Sequence, residues 1–157
     1  EAGLLADGVV AQSVADSRAF WAIRDANSEF ASHCGPCVDF DIGLAVGVMD
    51  DFARLCGQSL AQRLPGCESF FFGHVGDGNL HIMVSTPGGY DTDKPLIEET
   101  VYRLVGRFGG TVSAEHGIGL TKKPWLHLAR SDQELALMRA IKCALDPKSL
   151  LNPGKIF

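Results

Sequence analysis

Nothing in this sequence approaches the ~18 uninterrupted apolar residues of a membrane-spanning helix. The longest apolar runs are fragments such as Phe70-Phe71-Phe72 and residues 44–49, so no membrane span is expected. The first residues, Glu1-Ala2-Gly3-Leu4-Leu5, lack a basic stretch leading into an apolar core, and no secretory signal is expected there. Positive charge is in short supply: 14 Lys and Arg against 19 Asp and Glu give a net charge of −5, which argues against a nucleic-acid surface. Cysteine is sparse and odd in number, at positions 34, 37, 56, 67 and 143, which suits reduced thiols in the cytoplasm better than a disulfide framework. Internal repeats, low-complexity tracts and interior linkers are missing as well. A single domain over residues 1–157 is therefore expected.

What is present suits a folded core. The 157 residues are 46% hydrophobic, and a chain of this size buries about two-thirds of its unfolded surface. The 18 glycines are unevenly spread, with Gly73, Gly76 and Gly78 in one segment and Gly109, Gly110, Gly117 and Gly119 in another. Histidines 74, 81 and 116 lie in or beside those segments. Glycine lets backbone approach a ligand closely, so these are the places to look for chemistry.

Residues 8–11 read as the tail of a strand, followed by a helix over 16–30 with Phe20, Trp21, Ile23 and Ala26 toward its apolar side. After the break at His33-Cys34-Gly35-Pro36-Cys37, residues 38–46 alternate: Val38, Phe40, Ile42, Leu44 and Val46 on one face, Asp39, Asp41, Gly43 and Ala45 on the other. A helix is predicted over 49–64, then strands over 68–75 and 80–86 around Gly76-Asp77-Gly78-Asn79. Another helix is predicted over 93–108, then a short strand over 111–115. The last helix starts at Ser131 with Glu134 completing a capping box, and Asp146-Pro147 stops it. Residues 150–157 read as extended. From 38 to 115 the order is β-α-β-β-α-β, so the expected fold class is α+β: a ferredoxin-like antiparallel sheet with extra helices at both ends.

The hairpin is the informative step. A two-residue type I′ turn at Asp77-Gly78 would set His74 opposite His81, with both imidazoles on one face. Two such rings can share a divalent metal at about 2.1 Å. Their face also carries Phe70, Phe72, Met83 and Ser85, whereas Phe71, Val75, Leu80, Ile82 and Val84 form the face that the helices cover. Paired histidines on a strand can equally be plain polar surface residues. A third element, Glu115-His116-Gly117, adds a carboxylate and another imidazole, and two His with one carboxylate are the ligand inventory of a catalytic metal. Plain ferredoxin topology would carry Glu115 away from the turn, so either the last strand is short or residues 113–117 leave the sheet early.

Three ordered motifs carry a resemblance: Gly73-His74-Val75-Gly76-Asp77-Gly78-Asn79-Leu80-His81; Ser113-Ala114-Glu115-His116-Gly117-Ile118-Gly119 with Lys122; and Asp146-Pro147-Lys148-Ser149-Leu150-Leu151-Asn152-Pro153-Gly154-Lys155. From about Val9 to Phe157 the chain resembles the C-terminal substrate, or cap, domain of FAD-linked 2-hydroxyacid dehydrogenases, the family of D-lactate dehydrogenase, the glycolate oxidase flavin subunit and D-2-hydroxyglutarate dehydrogenase. The resemblance implies that His74, His81 and Glu115 hold a divalent metal, zinc or manganese, which chelates the hydroxyl and carboxylate of a 2-hydroxy acid. It implies that His116 is the general base while hydride leaves for FAD, that Arg24 grips the substrate carboxylate, and that Asn152 lies in a tail that returns to the flavin domain. Read without it, Arg24 is equally a solvated helix charge and Asn152 a turn residue. The implied partners are an N-terminal FAD domain and an electron acceptor: a quinone, an electron-transfer flavoprotein or a cytochrome. Nothing in the sequence resembles that FAD domain, so the chain by itself is expected to hold no FAD and to oxidise nothing.

The departures bear on substrate. Family members that take dicarboxylates have a lysine where this chain has Asp39, on the histidine face; in the family an asparagine is usual where this chain has Met83, and a proline is common where it has Ala45. A poor fit to 2-hydroxyglutarate and a preference for a monocarboxylic or otherwise unusual 2-hydroxyacid are expected. Two rival readings remain. Cys34-Gly35-Pro36-Cys37 spells a redox motif, but with the helix before it and the strand after, the reverse of what thiol activation needs. The other rival is a non-catalytic ferredoxin-like domain that stores or senses a metal, or serves as a subunit interface; it gives no role to His116 or the tail.

Overall fold

The computed structural model describes residues 7–157; the N-terminal segment read for a secretory signal lies outside the described residues. The chain divides into two compact units, Glu1–Gly35 and Pro36–Phe157.

In the first unit Ser13 caps helix α1 (Val14–Asp25), its side chain accepting from the Asp16 amide. A 3₁₀ turn, Ala26–Glu29, separates α1 from the short helix α2 (Phe30–Cys34), and Gly35 ends it at φ 73°. The single helix expected over 16–30 is thus broken, and residues 8–11 form no strand. Phe20, Trp21 and Ile23 are all exposed, so α1 buries no apolar stripe of its own.

The second unit is α+β. Strand β1 (Cys37–Gly43) alternates as expected, with Val38, Phe40 and Ile42 buried. Helix α3 (Met49–Arg63) packs Met49, Phe52, Cys56 and Leu60 into the same core, and helix α4 (Tyr90–Arg107) adds Ile97, Val101, Tyr102, Leu104 and Val105. Burying a side chain such as Phe52 contributes about 1.5–3 kcal/mol. Edge-on ring contacts, Phe40 to Tyr102 at 5.2 Å and Phe52 to Phe108 at 5.5 Å, join sheet and helices. Helix α5 (Asp132–Leu145) begins with the expected capping box of Ser131 and Glu134. No helix among the described residues is long and apolar enough to cross a membrane.

Strands β2 (Ser69–His74) and β3 (Asn79–Ser85) complete an antiparallel sheet in the order β1-β3-β2. The fourth strand of the ferredoxin-like pattern shrinks to one bridge, Gly43 to Thr111, at the free edge of β1. Residues 113–117 do leave the sheet early, for a reason given below.

The hairpin differs from its expected register. Residues Val75–Asp77 form a 3₁₀ turn closed by left-handed Gly78 (φ 69°), so the loop holds four residues and not two. His74 pairs with Asn79, and His81 faces Phe72 and Asp41. Gly78 is bound to this course: a Cβ there would sit 2.4 Å from the carbonyl oxygen of Leu44, and its own oxygen accepts from the Leu44 amide at 2.8 Å. The slip is by two residues, an even number, so the paired side chains keep their expected faces, but Val75, expected on the helix-covered face, lies exposed in the turn.

The tail is not extended. Ser149, Asn152, Gly154 and Ile156 all have positive φ, and Ile156 N–H donates to Gly119 O at 3.1 Å. Asp146 turns the chain: its carboxylate accepts from the amides of Leu150 and Leu151 at 2.9 Å and from the Lys142 ammonium, and these donors hold its pKa down to about 2.

Candidate metal and acid–base site

The face of the sheet away from the helices carries the site. Alternation places Asp39, Asp41 and Gly43 of β1 on it, with Asn79, His81 and Met83 of β3 and Phe70, Phe72 and His74 of β2. Phe70, Phe72 and Met83 are half-buried there. His74 and His81, diagonal neighbours across the hairpin, bring their ring centroids within 5.7 Å.

Glu115 arrives on the segment that leaves the sheet, and Asp41 is what brings it. The Asp41 side chain is fully buried (0% exposed), and its carboxylate accepts from the backbone amides of Ala114 (3.2 Å), Glu115 (3.0 Å) and His116 (2.8 Å). Ser113 Oγ donates to the same oxygen at 3.0 Å, and the buried Lys122 ammonium stands 3.2 Å away. Lys122 also bonds Ser113 Oγ at 2.9 Å. Burial alone would raise the pKa of Asp41, but the His116 and Glu115 amides and the Lys122 ammonium outweigh it and hold the carboxyl well below the usual carboxylate range. Chain entropy opposes holding residues 113–117 in this turn, and these charge-assisted bonds offset it.

Held so, Glu115 faces both rings: Oε1 lies 3.8 Å from His74 Nε2, and Oε2 lies 3.9 Å from His81 Nε2. One ligand atom from each residue falls within 4.8 Å of the other two. Those separations are too long for hydrogen bonds and close to the roughly 3–3.4 Å between ligands that share a cation at about 2.1 Å. Two imidazoles and a carboxylate suit zinc or manganese, and the half-exposed Glu115 leaves room for further ligands. A second trio, Asp41, His81 and His116, also clusters. Asp41 has already given its lone pairs to amides and Lys122, which makes it the poorer ligand.

His116 stacks on His81 at 5.8 Å, and its Nδ1 lies 3.9 Å from Asp41 Oδ2. Its side chain is largely exposed, beside the trio and not part of the triplet that Glu115 closes. Asp39 is exposed on the same face, and what burial it has pushes its carboxyl upward, partly countered by His116.

The structure therefore gathers His74, His81, Glu115 and His116. Arg24 belongs to the other unit, where it is ion-paired to Asp25 at 2.8 Å and stands over the Trp21 ring at 5.5 Å. Asn152 sits exposed in the tail at φ 47°, its carbonyl accepting from the Lys155 amide. Cys34 and Cys37 form no disulfide among the described residues. Sequence reasoning missed Asp41, although a signal existed: an acid on the polar face of an otherwise apolar strand, followed far downstream by a lysine inside a glycine-bounded motif.

Residues 1–156 match the family model described as "FAD linked oxidases, C-terminal domain". The chain is 36% identical over 162 residues to a D-2-hydroxyglutarate dehydrogenase of Stutzerimonas stutzeri, covering 100% of this chain and 35% of that protein. It is 40% identical over 162 residues to one of Xanthomonas citri pv. viticola (100% and 34%). It is 35% identical over 167 residues to the mitochondrial enzyme of Arabidopsis thaliana (99% and 27%). The chain spans about a third of the length of the curated relatives it matches.

Proposed function

Since the chain belongs to the family of C-terminal domains of FAD-linked oxidases, we propose that it supplies the substrate-side half of an FAD-dependent 2-hydroxyacid dehydrogenase. The observation that carries this reading is the convergence of His74, His81 and Glu115 within 4.8 Å, with His116 stacked on His81. A cation held by the first three would act as Lewis acid toward a hydroxyl and carboxylate oxygen. His74 and His81 orient through Nε2, and Glu115 contributes charge. His116 is placed to accept the hydroxyl proton, and the anionic Asp41 near its Nδ1 stabilises the imidazolium that results. Among the described residues we name Asn152 alone as a candidate flavin contact. The oxidant is therefore assigned to a part of the enzyme outside these residues. We extend the proposal to Arg24 as a group that pairs with the substrate carboxylate, and to Asn152 as a contact with the flavin part.

The test separates proton transfer from metal binding. In the complete enzyme His116→Ala is expected to lower turnover about 10²- to 10⁴-fold while zinc uptake stays at the parental level. A variant that loses both together, or neither, would count against a base role and favour a storage or sensing domain.

For substrate, the three relatives above are named for D-2-hydroxyglutarate, and Asp39 pulls the other way. A carboxylate on the site face repels the distal carboxylate of a dicarboxylic acid. We infer that a monocarboxylic 2-hydroxy acid fits better. Asp39→Lys should raise kcat/KM for D-2-hydroxyglutarate relative to D-lactate by roughly ten- to a hundredfold. A parent enzyme that already prefers D-2-hydroxyglutarate overturns this part alone.

A further inference from the structure

Asn79 is 3% exposed, and neither its Oδ1 nor its Nδ2 has a hydrogen-bond partner among the described residues. A buried amide left unpaired keeps its full desolvation penalty, so such a group calls for a partner that binds there. Its position is specific. Alternation along β3 puts Asn79 on the face of His81, and the register sets it directly opposite His74. On its other flank stands Gly43, where a Cβ would meet the Thr111 methyl at 2.5 Å. The amide is thus out of contact with water and opposite the first imidazole of the trio.

His74 and His81 turn Nε2 toward Glu115. Binding a cation through Nε2 puts the ring proton on Nδ1, and that N–H needs an acceptor that locks the tautomer and the ring plane. We infer that Asn79 is a positioning residue of this site: its Oδ1 accepts from Nδ1–H of His74 when Nε2 holds the cation. The inference rests on the metal-site reading above and names a residue beyond its ligands. It also accounts for the hairpin: the four-residue loop, and not the two-residue turn, is what sets Asn79 across from His74.

Zinc affinity of the full chain, measured by competition with a chromogenic chelator, tests it. Asn79→Leu, similar in shape but without polar atoms, should weaken zinc binding 10- to 100-fold. Its melting temperature without metal should equal or exceed the parent's, because two orphaned buried atoms are gone. A merely structural asparagine behaves in the opposite way, with a lower melting temperature and unchanged affinity. Asn79→Asp keeps an acceptor and should retain the parental affinity, and Asn79→Ala repeats the loss without bulk. Nitrogen-15 spectra should show a slowly exchanging Nδ1 proton on His74 in the zinc-loaded parent and not in the leucine variant. If leucine lowers melting temperature and affinity together, the aspartate variant decides: parental affinity supports the inference, and weak affinity overturns it. Parental affinity in both the leucine and alanine variants overturns it too, while the metal site stands as long as alanine at 74 and 81 abolishes uptake. If that double replacement binds zinc like the parent, the metal reading itself fails.

Discussion

Replacing Asp41 by alanine is expected to destabilise the Pro36–Phe157 unit by about 3–5 kcal/mol, the cost of breaking a buried ion pair from one side. The variant leaves Lys122 buried without its carboxylate and strips the amides of residues 114–116 of their common acceptor. Urea unfolding gives the loss, and faster amide exchange at 114–116 shows where it falls. Because Glu115 reaches His74 and His81 only through that segment, zinc affinity should fall with it. The same group sets an acid limit. The pKa of Asp41 lies far lower in the folded chain than unfolded, so its stabilisation is complete above the unfolded value, about 3.9, and drains away as pH falls below it. Asp41→Asn should be less stable at neutral pH and should lose this contribution to the acid slope. An asparagine variant with the parent's midpoint and slope would show that the carboxylate does not organise the segment.

Alanine at both 74 and 81 is expected to lower zinc or manganese affinity by on the order of 10³-fold or more, since Glu115 alone remains of the trio. The measurement is chelator stripping, reloading and metal analysis of the full chain. Stability should hardly change, because neither imidazole is part of the apolar core and both lie on the face away from the helices. The expected signature is lost uptake with a kept melting temperature. Uptake equal to the parent's would remove the basis for the proposed function.

Much of the fold was legible in the sequence because its cues are short-range. The alternation of 38–43, the apolar stripe of 49–64 and the Ser131–Glu134 capping box report on neighbours within a few residues and form as expected, whereas the strand stops at Gly43 and Val46, expected on its buried face, lies exposed in a 3₁₀ turn. The hairpin's faces were legible for the same reason, but its register was not. Asp-Gly favours a two-residue turn in isolation, yet the Gly78 carbonyl is claimed by the Leu44 amide, a contact from a different strand. The tail misled likewise: residues 150–157 read as extended, while Asp146 captures the Leu150 and Leu151 amides and folds the chain back.

What the sequence by itself determined is which side chains share a face along each strand, since a period of two needs no knowledge of partners; His74 and His81 lie together because the loop between them holds an even number of residues. What only the tertiary structure decided is how Glu115 and His116 come to them, and that Asn79 stands opposite His74 with nothing yet to bond. Both depend on groups far apart in the chain, Asp41 with 114–116 and Lys122 in one case, Gly78 with Leu44 in the other. Such contacts form only once the core has closed and water has left the carboxylate and the turn, which makes a hydrogen bond worth more than the local preference it overrides.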